Sequence, residues 1–164
     1  EIGMELLSHI EALLEVRING LSARLRAEAR RDETARRLMT IPGVGPVCAV
    51  ALAALAPPVS SFSKGRDFAA RIGLVPRQNS SGGKARLGRT SKMGQRDLRR
   101  LLIIGATSVV RWQARHGAPA GSWMARMPAT KPKMLVAVAL ANKIARVAWA
   151  LMRGDGVYRA PATA

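Results

Sequence analysis

The apolar run at residues 47–56 is closed by proline on both sides, with Pro46 before it and Pro57-Pro58 after it. Proline fits the first turn of a helix, where its missing N–H is not needed, and it halts a helix already running. A short helix between these prolines is therefore expected. Ahead of it, Ile41-Pro42-Gly43-Val44-Gly45-Pro46 makes a tight turn, and the preceding helix should end near Met39. This is the pattern of a helix-hairpin-helix element. Gly43 and Gly45 would let backbone N–H groups approach a phosphate at the positive end of the following helix. The same residues also suit an ordinary helix–helix turn.

Other stretches read the same way. Residues 4–28 carry a heptad-like stripe, with Met4, Ile18 and Leu25 on one seam and Leu7, Leu14 and Leu21 on the other; Glu11 and Glu28 interrupt it. About three heptads is the lower limit for a coiled coil. The stripe fits a homo-oligomer seam or an amphipathic helix packed on its own domain. Ser63 is placed to cap a short helix ending near Ile72, with Gly73 as its stop. Helical spacing resumes near Gln95 and runs to about Ala114. Residues 116–133 form a Pro- and Gly-punctuated connection anchored by Trp123. A last helix, from about Pro132 to Arg153, should bury Leu135, Val138, Ala139, Ala145, Ala148, Trp149 and Met152. Its apolar stretch contains Asn142, Lys143 and Arg146, so a membrane span is not expected. No clear β-strand run and no internal repeat emerge. The expected fold is mostly α: a long coiled-coil-like helix over residues 1–37, a helical domain over 38–158, and a tail at 159–164.

Charge narrows the partner. Hydrophobic residues make up 48% of the chain, enough for a core, while aromatics are only 4%, so that core must be built from Ala, Leu, Val and Ile. The net charge of +17 is unevenly spread. Residues 1–40 hold seven Lys/Arg and seven Asp/Glu, whereas residues 41–164 hold twenty Lys/Arg against Asp67, Asp97 and Asp155. A compact body with that imbalance repels itself unless a polyanion neutralises it, and nucleic acid is the natural one. A ribosome-associated protein, or a GC-rich genome favouring Arg and Ala, would give a similar balance. The lone Cys48 excludes a disulfide framework and a cysteine metal site within the chain, and reads as a small core residue. His9 and His116 stand far apart with no acidic cluster nearby, so no metal site is expected. No signal peptide is read at the start, and the expected location is the cytoplasm.

The segment Pro76-Arg77-Gln78-Asn79-Ser80-Ser81-Gly82-Gly83-Lys84-Ala85-Arg86-Leu87-Gly88-Arg89 concentrates the chemistry. A serine hydroxyl becomes a nucleophile when a base, a metal or a cationic field helps it. Phosphoryl transfer asks mainly for in-line positioning and for positive charge around the phosphorus. Glycines at 82 and 83 would let a DNA backbone come close, and Arg77, Lys84, Arg86, Arg89 and Lys92 would hold its phosphates. On chemistry alone, a solvated basic loop is the commoner explanation.

Gly73-Leu74-Val75-Pro76-Arg77-Gln78-Asn79-Ser80-Ser81-Gly82-Gly83-Lys84 resembles a hallmark of the IS-one-ten class of insertion-sequence transposases, relatives of the Piv and MooV DNA invertases. So do Leu87-Gly88-Arg89-Thr90-Ser91-Lys92-Met93-Gly94, Leu98-Arg99-Arg100-Leu101-Leu102, the turn at 41–46, and Ala139-Leu140-Ala141-Asn142-Lys143-Ile144-Ala145-Arg146. These landmarks cover roughly residues 38–158 in the family's order. The resemblance implies a two-part enzyme: a RuvC-like domain with an acidic tetrad for Mg2+, then a coiled coil, then a C-terminal domain whose serine attacks DNA. Ser81 corresponds to that serine, with Ser80 second to it, and a structured bridge RNA directs donor and target choice. The acidic residues after position 40 are too few and too scattered to build the tetrad. With Glu1 rather than Met at its start, the chain is expected to lack the RuvC-like part and to be inactive alone. The rival reading is a non-catalytic helix-hairpin-helix module in which Ser81 only hydrogen-bonds a phosphate.

Overall fold

Asp32 divides the first helical stretch in two. Its backbone is extended (ψ 120°), and its carboxylate accepts a hydrogen bond from the Ala35 N–H at 2.6 Å. It is thus the end of one helix and the N-cap of the next, satisfying an otherwise orphan donor. The expected single helix over residues 1–37 is therefore broken. In the computed structural model, which describes residues 1–79, 83, 86–119, 122–127 and 131–160, α1 runs Ile2–Arg31 and α2 runs Glu33–Leu38. The chain then continues through α3 (Pro46–Leu55), a short 3-10 turn (Val59–Ser61), α4 (Gly65–Arg71), β1 (Pro76–Gln78), β2 (Leu87–Thr90), α5 (Arg96–His116) and α6 (Lys133–Arg153). The mostly α reading holds.

Two local expectations need correction. The sequence offered no strand, yet β1 and β2 pair antiparallel, Pro76 opposite Thr90 and Gln78 opposite Leu87 with an irregularity between. Both strands are too short and too exposed to show a period-two apolar pattern. Ser63 does not cap α4: Lys64 occupies that position, and the Ser63 hydroxyl instead donates to the Asp67 carboxylate at 3.3 Å.

Alanine sets the style of the core. Ala29, Ala35, Ala49, Ala69, Ala106, Ala141, Ala145 and Ala148 are all fully buried, so helices approach closely around a few larger side chains: Leu38, Leu52, Phe68, Ile72, Leu98 and Leu102. α6 packs on α4 and α5, and its buried stripe is Val136, Ala137, Ala141, Ile144, Ala145 and Ala148. The expected stripe was partly misplaced, because Leu135 is exposed and Trp149 and Met152 are only half-buried. This helix is long and apolar enough to cross a membrane by composition, and it serves here as a core helix.

A close backbone approach lies at the expected turn. Gly43 (φ 89°) sits against α5, where a Cβ on it would meet the Gly105 carbonyl oxygen at 2.8 Å, and a Cβ on Gly105 would overlap the Gly43 carbonyl oxygen. Both positions exclude any side chain. Two helices joined by a tight turn are thus present, with Pro46 at the first position of α3 as expected.

α1 behaves differently. Only its last turns join the body, through Ala29 and contacts with α2 and α3. Along the rest, the apolar seam faces solvent, with Leu14 54% and Ile18 59% exposed. Packing on its own domain thus accounts for the end of the helix and not for its length.

Candidate nucleic-acid interface

The segment around Ser81 is carried by the β1–β2 hairpin. Beyond the paired strands, the Asn79 N–H donates to the Arg86 carbonyl at 2.8 Å, and the Ser91 N–H donates to the Val75 carbonyl at 2.9 Å. These bonds extend the stem at both ends. Residues 80–85 join Asn79 to Arg86. Ser80, Ser81, Gly82 and Lys84 lie outside the described residues, and Gly83 is exposed.

The foot of the hairpin is a pinch between two glycines. Gly73 (φ 81°) and Gly94 (φ 84°) both adopt left-handed backbone, which L side chains resist. Space excludes a side chain as well: a Cβ on Gly73 would overlap the Met93 carbonyl oxygen, and one on Gly94 would overlap the Arg71 carbonyl oxygen. Arg99, from α5, ties the two sides together by donating from one guanidinium nitrogen to the Ile72 carbonyl at 2.9 Å and the Met93 carbonyl at 3.2 Å. Asn142, from α6, donates to the carbonyl of buried Leu74 at 3.2 Å. Gln95 donates to the Leu55 carbonyl at 2.6 Å, fixing the return of the chain to the end of α3.

On that fixed stem stand the basic side chains. Arg77, Arg86 and Arg89 are exposed on its two arms, and Lys92, exposed with left-handed backbone (φ 54°), stands near the foot. Among the described residues the one ion pair joins Arg37 to Asp155 at 3.3 Å, so none of these four cations has a carboxylate partner there. Clustered like charges without counter-charge favour a bound polyanion.

The glycines of the helical turn lie elsewhere. Gly43 is filled against α5, whereas Gly45 caps α3 and is exposed with open space around it. Ten residues of α3 separate Gly45 from Leu55, where Gln95 holds the hairpin foot, so the two sites are about 15 Å apart along that helix. Of the two glycines, Gly45 alone has room for a ligand.

Among the described residues no three His, Cys, Asp or Glu side chains stand close enough to hold a metal ion.

Sequence reasoning missed the positioning role of Arg99, Asn142 and Gln95. Asn142 gave the clearest signal, as an amide inside an apolar helix, where a buried polar group needs a partner.

The basic, glycine-pinched hairpin thus stands on an alanine-rich helical body. The profile of the IS116/IS110/IS902 transposase family matches residues 35–119, and the chain belongs to that family. A relative in Pseudomonas aeruginosa, named as a family 20 transposase, is 46% identical over 146 residues, covering 89% of this chain and 43% of the relative. The transposase for insertion sequence element IS1328 of Yersinia enterocolitica is 38% identical over 141 residues, covering 86% and 42%. That for IS1111A of Coxiella burnetii is 37% identical over 155 residues, covering 94% and 41%. The chain thus spans about two fifths of the length of the curated relatives it matches.

Proposed function

We propose that the chain is the DNA-handling part of a transposase and that Ser81 supplies the nucleophile for strand cleavage and exchange. The observation that carries this reading is the stem: Arg77, Arg86 and Arg89 stand exposed, with no carboxylate partner among the described residues, on the two arms that lead to Ser81. Lys84, Lys92 and Ser80 add phosphate contacts, and Gly82 and Gly83 let the backbone approach. In the step itself, the Ser81 oxygen attacks a DNA phosphorus while its proton passes to a base. One bridging P–O bond breaks, and the departing sugar oxygen takes up a proton. Gly45, at the start of α3, offers backbone N–H groups to a second phosphate in helix-hairpin-helix fashion. Family likeness supports a bridge RNA as guide, a seam at residues 4–28 joining copies, and Mg2+ held by a RuvC-like region matching the relatives' remaining length. It also supports a nucleoid location in a bacterial cytoplasm.

The test is recombination of a donor–target plasmid pair by full-length protein with its RNA and magnesium. Ser81→Ala removes only a hydroxyl, so fold and DNA affinity should persist while strand exchange and the covalent protein–DNA adduct vanish. Ser80→Ala should be much milder. Near-normal exchange by Ser81→Ala would show a binding module instead; a dead Ser80→Ala alone would move the assignment by one residue.

A further inference from the structure

The chain holds few aromatic side chains, and their placement is uneven: three Trp, one Tyr and two Phe. Phe62 and Phe68 meet edge to face at 5.6 Å in the core, and Trp112 stacks on His116 at 4.7 Å. The remaining three, Trp123, Trp149 and Tyr158, line one open groove along α6 together with Lys143, Arg146 and Arg159. The groove has a volume of about 660 Å³, within the usual range of small-molecule and nucleotide sites. No carboxylate is among the described residues that line it. Its rings are half-buried, and the two indoles are held in place. The Trp149 indole N–H donates to the Val59 carbonyl at 3.2 Å, and the Lys143 ammonium lies 5.5 Å from the Trp123 ring centre.

Rings beside cations, with no acid, match the way unpaired strands are held: bases stack on aromatic faces while the phosphates meet Lys and Arg. A duplex cannot use such a groove, because its base faces are already stacked. An acidic peptide would use the cations and leave the three rings unexplained. The groove also touches the hairpin, since Asn142 lines it and bonds Leu74 at the hairpin foot. We infer that this groove binds an unpaired DNA strand leaving the hairpin, with bases against Trp123, Trp149 and Tyr158 and phosphates on Lys143, Arg146 and Arg159. The choice of DNA rests on the proposed function of the hairpin.

The experiment uses the 164-residue chain carrying Trp112→Phe, so that its fluorescence reports only Trp123 and Trp149. A short oligothymidylate should quench that fluorescence, and a blunt duplex of equal length should not. Tyr158→Leu keeps apolar bulk, removes a stacking face, and should weaken oligothymidylate binding about tenfold. Lys143→Gln with Arg146→Gln, both at groove positions that leave the core intact, should lower the salt slope by about 0.7 for each cation removed. This pair keeps the test decisive if Tyr158→Leu unfolds. Absence of quenching, equal quenching by the duplex, or unchanged affinity in the Lys143/Arg146 variant overturns the inference. Equal or tighter binding of an oligouridylate overturns the assignment to DNA. Arg77→Gln with Arg89→Gln should weaken duplex binding and leave quenching intact. If the unmodified chain quenches with oligothymidylate but binds no duplex, the hairpin reading fails and the groove stands.

Discussion

α1 and α6 are both long, both rich in apolar residues, and opposite in fate. α6 presents small residues in a stripe, so neighbouring helices can come close, and Ala141, Ala145 and Ala148 vanish into the core. α1 presents Leu, Ile and Met, and leaves most of them in solvent. Apolar content therefore does not decide burial. The size of the residues on the stripe and the reach of the neighbouring elements do. A stripe of large side chains facing water is the kind of surface that another helix covers.

The largest effect expected concerns assembly. If a second copy covers the seam, Leu14→Glu with Leu21→Glu should abolish self-association in sedimentation velocity while the melting temperature of the body stays put. A stable monomer in the unmodified chain would remove that reading. Next comes a matched isoleucine pair. Ile144→Ala should cost about 3 kcal/mol, because the core cannot fully collapse around the lost atoms. Ile18→Ala should change the monomer's stability by less than about 0.5 kcal/mol. Comparable losses in urea melts would erase the contrast.

A matched glycine pair should change sign. Gly105→Ala drives a Cβ into the Gly43 carbonyl and should destabilise by about 2 kcal/mol. Gly20→Ala, with open space around it, should stabilise α1 by about 0.8 kcal/mol. The smallest effect is on thiol chemistry. Burial pushes the Cys48 thiol from 9.0 up to about 11, so its contribution to stability is intact below pH 9 and is lost as pH rises through 11. At pH 8 a disulfide reagent should label Cys48 only as the protein unfolds, whereas Val16→Cys on α1 should react at once. Equal rates would mean that the body opens far more readily than its packing implies.

Much of the fold was legible because proline and glycine act locally. Pro46 and Pro57 bracket α3, and Pro132 and Gly154 bracket α6, whatever lies beside them. The break at Asp32 was missed because an aspartate inside a charged stretch looks like any exposed helical residue until its carboxylate is seen on Ala35. The hairpin was missed because its strands are short and exposed and its foot is fixed by Arg99 and Asn142, which reach it from α5 and α6. For the site, the arginines were visible as charge, and Ser81 stood out through its motif. Gly43 looked like a phosphate contact because a turn glycine facing a ligand and one facing a helix are identical on paper. Only the backbone of Gly105 separates them.

The pinch at Gly73 and Gly94 makes the hairpin a cassette. Chain enters and leaves the body at a single point, so the segment beyond it could lengthen, shorten or be exchanged without moving any core residue. Loop-closure entropy grows slowly, by about 0.6 kcal/mol for each doubling of length, so variation beyond the pinch is tolerated far better than variation within it. The family motif thus lies on a segment that the alanine-packed base does not constrain, so any limit on its sequence comes from what it grips and not from the core. A chimera joined at Gly73 and Gly94 is the natural place to swap one member's grip for another's.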